Sequence, residues 1–115
     1  MKVLKFDIPE LQQIDINGDV FDIHKSDLDI LNKSAELTAK YSGLEKMKND
    51  EKKIALMTAG ANEIKSYIDE ILGDGAVATI AKGKPVSITV AVDLLLAICG
   101  EVAKENDAYI ADKYE

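Results

Sequence analysis

Six apolar residues, Ile54, Met57, Ala61, Ile64, Ile68 and Ile71, recur at alternating spacings of three and four. That recurrence limits the possible folds more than any other feature of the chain. Such spacing keeps side chains on one stripe of an α-helix, and a stripe of this kind has to be buried against other helices. It predicts a helix over about 50–72, with a start as early as Leu44 also open, stopped by Gly73-Asp74-Gly75, two of whose residues tolerate left-handed backbone. Gly60 inside the stripe either costs about 1 kcal/mol relative to Ala or lets another backbone approach closely.

Two more helices follow from similar reasoning. Ile88, Val92, Leu95, Cys99, Val102, Asn106 and Tyr109 predict one over about 87–111 with Ser87 as N-cap. Leu94 and Leu96 widen its apolar arc to roughly 200°, so it is either central in the fold or touches a second partner. Ser26, followed by Asp27 and Asp29, predicts the start of a helix over about 27–41 that ends near Ser42-Gly43. Asp29 with Lys33 and Glu36 with Lys40 are spaced for i,i+4 pairs on it. Its apolar residues form two ridges: Leu28, Leu31 and Ala35 on one side, Ile30, Leu37 and Tyr41 on the other. Residues 76–82 predict a short helical turn, Gly83-Lys84-Pro85 a loop, and 112–115 a frayed end.

Ahead of the helices, Asn17-Gly18 is the preferred pair for a two-residue type I′ turn. It would pair Ile16 with Asp19, Ile14 with Phe21 and Gln12 with Ile23. One face then carries Ile14, Ile16, Phe21 and Ile23, the other Gln13, Asp15 and Asp22, with Val20 as the exception. A lone hairpin is marginal and has to lie on something. Residues 2–8 could add an edge strand ended by Pro9. The fold class expected is mostly α with a small N-terminal β-hairpin (α+β). One domain over 1–115 divides into a hairpin region, 1–24, and a helical region, 26–111.

Composition narrows the function. The 14 basic residues are all Lys, against 21 acidic ones, for a net charge of −7. Without Arg there is no planar fork for phosphates and base edges. An acidic chain of this kind is a poor ligand for nucleic acid and for anionic membrane. The start lacks the apolar stretch of a signal peptide, and Val86 to Cys99, interrupted by Ser87, Thr89 and Asp93, falls short of the roughly 20 residues of a bilayer span. The expected compartment is the cytoplasm. The single cysteine, Cys99, reads as a small core hydrophobe.

No chemistry-bearing motif survives inspection. Asp15-Ile16-Asn17-Gly18-Asp19 opens like an EF-hand loop, but the sixth and twelfth places hold Val20 and Ser26 instead of Gly and a carboxylate. Gly83-Lys84 is followed by Pro85, and Ile80 stands where a Walker loop starting at Gly75 needs Gly. His24, the single histidine, has no second His or paired Cys for zinc. Asp93 shares a polar stripe with Thr89, Gly100 and Lys104, which reads as a solvated helix side; Asp69-Glu70 reads likewise. No Ser sits in a nucleophile elbow. The expectation is a protein that is not an enzyme, with no catalytic residue, cofactor or metal.

One arrangement does resemble a known family. The hairpin Ile14-Asp15-Ile16-Asn17-Gly18-Asp19-Val20-Phe21-Asp22-Ile23 and the cap Ser26-Asp27 are followed by Ile68-Asp69-Glu70-Ile71-Leu72-Gly73-Asp74-Gly75-Ala76. Then come Ile80, the basic turn Lys82-Gly83-Lys84, Ser87 and a leucine-rich last helix. Over about residues 11–105 this resembles the small tail assembly chaperones of long-tailed bacteriophages and prophages of low-GC Gram-positive hosts, most tellingly in 68–83. The resemblance implies a binding function: coating the tape measure protein, recruiting tail tube subunits, and forming homo-oligomers. It carries over no catalytic residue and no binding residue position by position.

The candidate contacts come from helix geometry. Two-sided apolar character on the first helix and a wide arc on the last leave more apolar area than one core can use. Ile30, Leu37, Tyr41, Leu94, Leu96 and Ile98 are the expected partner-binding residues, receiving apolar stripes of client helices. Alternatives are a minor virion structural or connector protein and a small helical regulatory protein. If both helices are simply central, with the hairpin covering one side, those residues are core.

Overall fold

The computed structural model describes residues 1–6 and 11–114, with side chains described as far as Asp107. Strands β1 (Gln13–Ile16) and β2 (Asp19–Asp22) form an antiparallel hairpin. The helices are α1 (Asp27–Lys40), α2 (Glu51–Leu72), α3 (Ala76–Ala81) and α4 (Ile88–Tyr114), with a single 3-10 turn at Leu44–Lys46. The α+β class expected from sequence is the class observed.

The hairpin has the expected register, with Ile16 opposite Asp19 and Ile14 opposite Phe21. Asn17 and Gly18 adopt positive φ, 57° and 92°, as a type I′ turn requires. The Asp15 carboxylate accepts the Gly18 N–H at 2.8 Å, which accounts for the aspartate at that place. Ile14, Ile16, Phe21 and Ile23 pack against the core, while Gln13, Asp15, Val20 and Asp22 are exposed. The edge strand expected at 2–8 does not form: residues 1–6 lie outside any strand, and 7 and 8 fall outside the described residues.

Helices α1, α2 and α4 each start at a capping side chain, of which the sequence predicts Ser26 and Ser87. Ser26 Oγ accepts the Asp29 N–H at 3.2 Å and Asp50 Oδ1 accepts the Lys53 N–H at 3.1 Å. Ser87 Oγ accepts the Val90 N–H at 3.4 Å. The last helix continues to Tyr114, beyond the expected end near 111, so residues 112–114 are helical rather than frayed. The spacing-based ion pairs on α1 are replaced by others. Lys33 pairs with Glu36 at 3.5 Å, Lys40 reaches Glu63 on α2 at 2.9 Å, and Asp29 accepts from the Tyr67 hydroxyl at 2.6 Å. Tertiary partners within reach outcompete weak i,i+4 neighbours, each worth only about 0.2–0.5 kcal/mol.

The core forms where α4 packs on both α1 and α2, so α4 is the central helix. Its buried residues are Ile88, Ala91, Leu95, Ile98 and Val102, with Val92 and Cys99 half-buried beside them. The predicted seam through Val92 and Cys99 was therefore only one side of a wider contact, because α4 has a neighbour on each flank. Ile64, Ile68 and Ile71 of α2 and Ile30 and Leu37 of α1 complete the core, all with no exposed surface.

The corner after α2 is fixed by polar contacts. Gly73 and Gly75 take φ of 111° and 79°, and the Asp69 carboxylate accepts the Val77 N–H at 2.9 Å, capping α3 from a distance. Asp69 is thus more than the solvated helix edge it resembled in the sequence. Asp69→Ala is expected to cost about 1 kcal/mol, the usual worth of a cap, measured as a lowered midpoint in urea with an unchanged slope.

Candidate functional site

The seam of α2 is sealed along only part of its length. From Ala61 to Ile71 its residues are buried, with α4 packed on α2, but Ile54 and Met57 remain 61% and 36% exposed. The boundary falls at Gly60. A Cβ there would collide with Ile88 Cδ1 and come within 2.9 Å of the Tyr41 ring. The missing side chain therefore admits two neighbouring side chains, rather than the backbone the sequence suggested.

Around this boundary two open clefts share Met57 and Ile88. The first, about 400 Å³, is lined by Thr38, Tyr41, Leu44, Met57, Ile88 and Val92, with Glu45, Lys53 and Asp93 on its walls. The second, about 320 Å³, lies across Met57 and is lined by Ile54, Ala61, Lys65, Val86 and Ile88. Together they leave an apolar trough at the N-terminal end of α2, where the helix pattern continues but no helix among the described residues covers it.

A polar network holds the wall of the first cleft. Both the Tyr41 hydroxyl and the Lys40 ammonium donate to Glu63 Oε1. The Tyr41 bond first, then the Lys40 bond, holds the Glu63 carboxyl below its usual range, and the bond to Glu63 raises both Lys40 and Tyr41. A depressed carboxylate contributes stability that is present above its unfolded value and lost as pH falls through its folded one. Solvent screens these exposed groups, so the contribution is small. Glu63→Gln is expected to flatten part of the fall in melting temperature between neutral pH and about pH 3. An identical pH profile for the variant would contradict this.

The expected partner-binding residues divide three ways. Ile30, Leu37 and Ile98 are core, so their assignment to a free surface is corrected. The ridge of α1 that faces outward is the other one, where Leu28 and Ala35 are exposed and Leu31 half-buried. Tyr41 lines the first cleft. Leu94 is half-buried beneath the hairpin, in a groove it shares with Ile14 and Ile16. Leu96 alone of the α4 candidates is largely exposed, at 51%. Ile54 and Met57, the exposed pair, stood in the sequence as two members of a regular seam, and nothing local distinguished them from the buried four.

Other singled-out residues have structural roles. His24 is exposed, and its N–H donates to the carbonyl of Ile71 at 2.8 Å, tying the hairpin to the end of α2. Asp93 is exposed beside the first cleft. Cys99 is half-buried, and burial pushes its thiol up, partly offset by Ser34. Burial and the bond to Asp29 raise the Tyr67 phenol well above its ordinary value. Among the described residues no His, Cys, Asp or Glu cluster is spaced for a metal, and no helix is long and apolar enough to cross a membrane. Comparison with protein-family models, curated proteins and solved structures finds no match to this chain.

Proposed function

We propose that this chain is a non-catalytic binding protein that receives an amphipathic helix from a larger client in the trough at the N-terminal end of α2. The function is that of the tail assembly chaperones its sequence resembles, with tape measure protein or tail tube subunits as clients. One observation carries the reading: the α2 seam runs past the end of its own cover, leaving Ile54 and Met57 uncovered beside two open apolar clefts. An incoming helix with apolar residues at three-and-four spacing would continue the same packing along α2. Glu45, Lys53 and Asp93 in the first cleft and Lys65 in the second would orient it.

The test uses the double variant Ile54→Glu/Met57→Glu. Both residues are exposed, so the variant is expected to keep its melting temperature within a few degrees. A tape measure protein from a long-tailed phage of a low-GC Gram-positive host is then co-expressed with each form. Co-purification with the wild type and at least a tenfold loss with the double variant support the reading. Binding that survives the substitutions contradicts it, as does persistence of the protein in purified particles, the behaviour of a virion component.

A further inference from the structure

Residues 1–6, Met1-Lys2-Val3-Leu4-Lys5-Phe6, form an arm outside any helix or strand. Val3, Leu4 and Phe6 are 76, 82 and 77% exposed. Three large apolar side chains in so short a segment are costly to leave in water. The arm is also basic, with Lys2 and Lys5, on a chain whose net charge is −7.

The body carries a groove of matching chemistry. It lies between the hairpin and α4 and is floored by Leu11, Ile14, Ile16, Leu94, Ala97 and Ile98; its charged residues are Asp15 and Glu101, with no basic residue among its lining. One wall is an open sheet edge, because among the described residues β1 pairs only with β2. The Ile23 N–H donates to the Gln12 carbonyl at 2.8 Å, which sets the phase of the ladder. Hydrogen-bonded pairs alternate with non-bonded ones in an antiparallel ladder, so the backbone groups of Gln13 and Asp15 point away from β2. Such an edge is a template for another strand.

We infer that the arm of one molecule adds to β1 of a second copy of this chain, making a reciprocal dimer. The side-chain alternation fits. In any register that lays Leu4 and Phe6 on the same side as Ile14 and Ile16, over α4, Lys5 falls on the side of Asp15. Glu101 in the same groove is the acid available to Lys2. The exchange gives each molecule's edge a partner and each arm a cover, with the two-fold symmetry of most homodimers. It is independent of the client trough, which lies at the other end of the α2 seam.

The test is the mass of the full-length protein by light scattering across a concentration series. A dimer, twice the 12.5 kDa of the chain, is expected to form as concentration rises. Leu4→Glu/Phe6→Glu is expected to shift its dissociation constant at least tenfold. These positions are exposed, so unchanged helical circular dichroism verifies folding. Asp15→Lys should weaken the dimer, and Lys5→Glu combined with Asp15→Lys should restore it. A monomer at every concentration overturns the inference, including a monomer whose arm amides are protected because the arm folds back on its own β1. An oligomer indifferent to the arm variants overturns it as well.

Discussion

Leu37→Ser is expected to destabilise the protein by about 3–5 kcal/mol, and Ile30→Ser by a similar amount. Both side chains have no exposed surface and lie in the core that α1 forms with α4. Truncating a buried Leu or Ile costs about 2–5 kcal/mol through lost transfer energy and the cavity left behind. A serine hydroxyl adds the cost of a polar group without a partner. Domains of this size are stable by only about 5–15 kcal/mol in total, so either variant would be near the limit of folding. Thermal denaturation should show a drop of roughly 15–30 °C. A drop of only a few degrees would mean that α1 presents this ridge to a partner rather than to its own core. The sequence alone allowed that outcome, because α1 has two apolar ridges and nothing local ranks them. Leu28→Ser, on the outward ridge, is the matched control and is expected to change stability little.

Gly60→Val is expected to cost about 2–3 kcal/mol, although valine favours helix over glycine by several tenths of a kcal/mol. The added Cβ would collide with Ile88 Cδ1 and crowd the Tyr41 ring, which sits 2.9 Å from that position. Overpacking of this kind forces side chains off their rotamers or pushes helices apart, at about 1–3 kcal/mol. Here it acts on two neighbours at once. The predicted consequence is local as well as global: α4 is pushed away at its start and Tyr41 loses its bond to Glu63. Denaturant titration gives the global cost, and amide exchange over the first turns of α4 gives the local one. A variant as stable as the wild type would show that the close approach at Gly60 is slack, and that the trough beginning there is wider than described.

The client reading and the core prediction separate cleanly. Ile54 and Met57 belong to the same stripe as Ile64 and Ile68, yet the first pair can change with little loss of stability while the second cannot. That difference depends on position along one helix relative to the start of α4 at Ile88.

The amino-acid sequence by itself determined the local structure. Asn17-Gly18 forces positive φ at two adjacent residues and so sets the hairpin register. Ser26 and Ser87 mark helix starts because their hydroxyls take amide protons the helix leaves unpaired, and the three-and-four spacing makes α2 a helix with one greasy stripe. These are interactions within a few residues, and they are present whatever the rest of the chain does. Only the tertiary structure decided which apolar surfaces are used. It turned Ile30 and Leu37 inward and Leu28 outward, put Ile98 in the core, ended the cover of α2 at Gly60, and sent Asp69 to cap α3. Burial depends on which helix lies opposite and where it begins, and the periodicity of one segment holds no information about its neighbour. The arm at residues 1–6 shows the same limit: its composition suits a strand, but a strand exists only where another edge is present to pair with it.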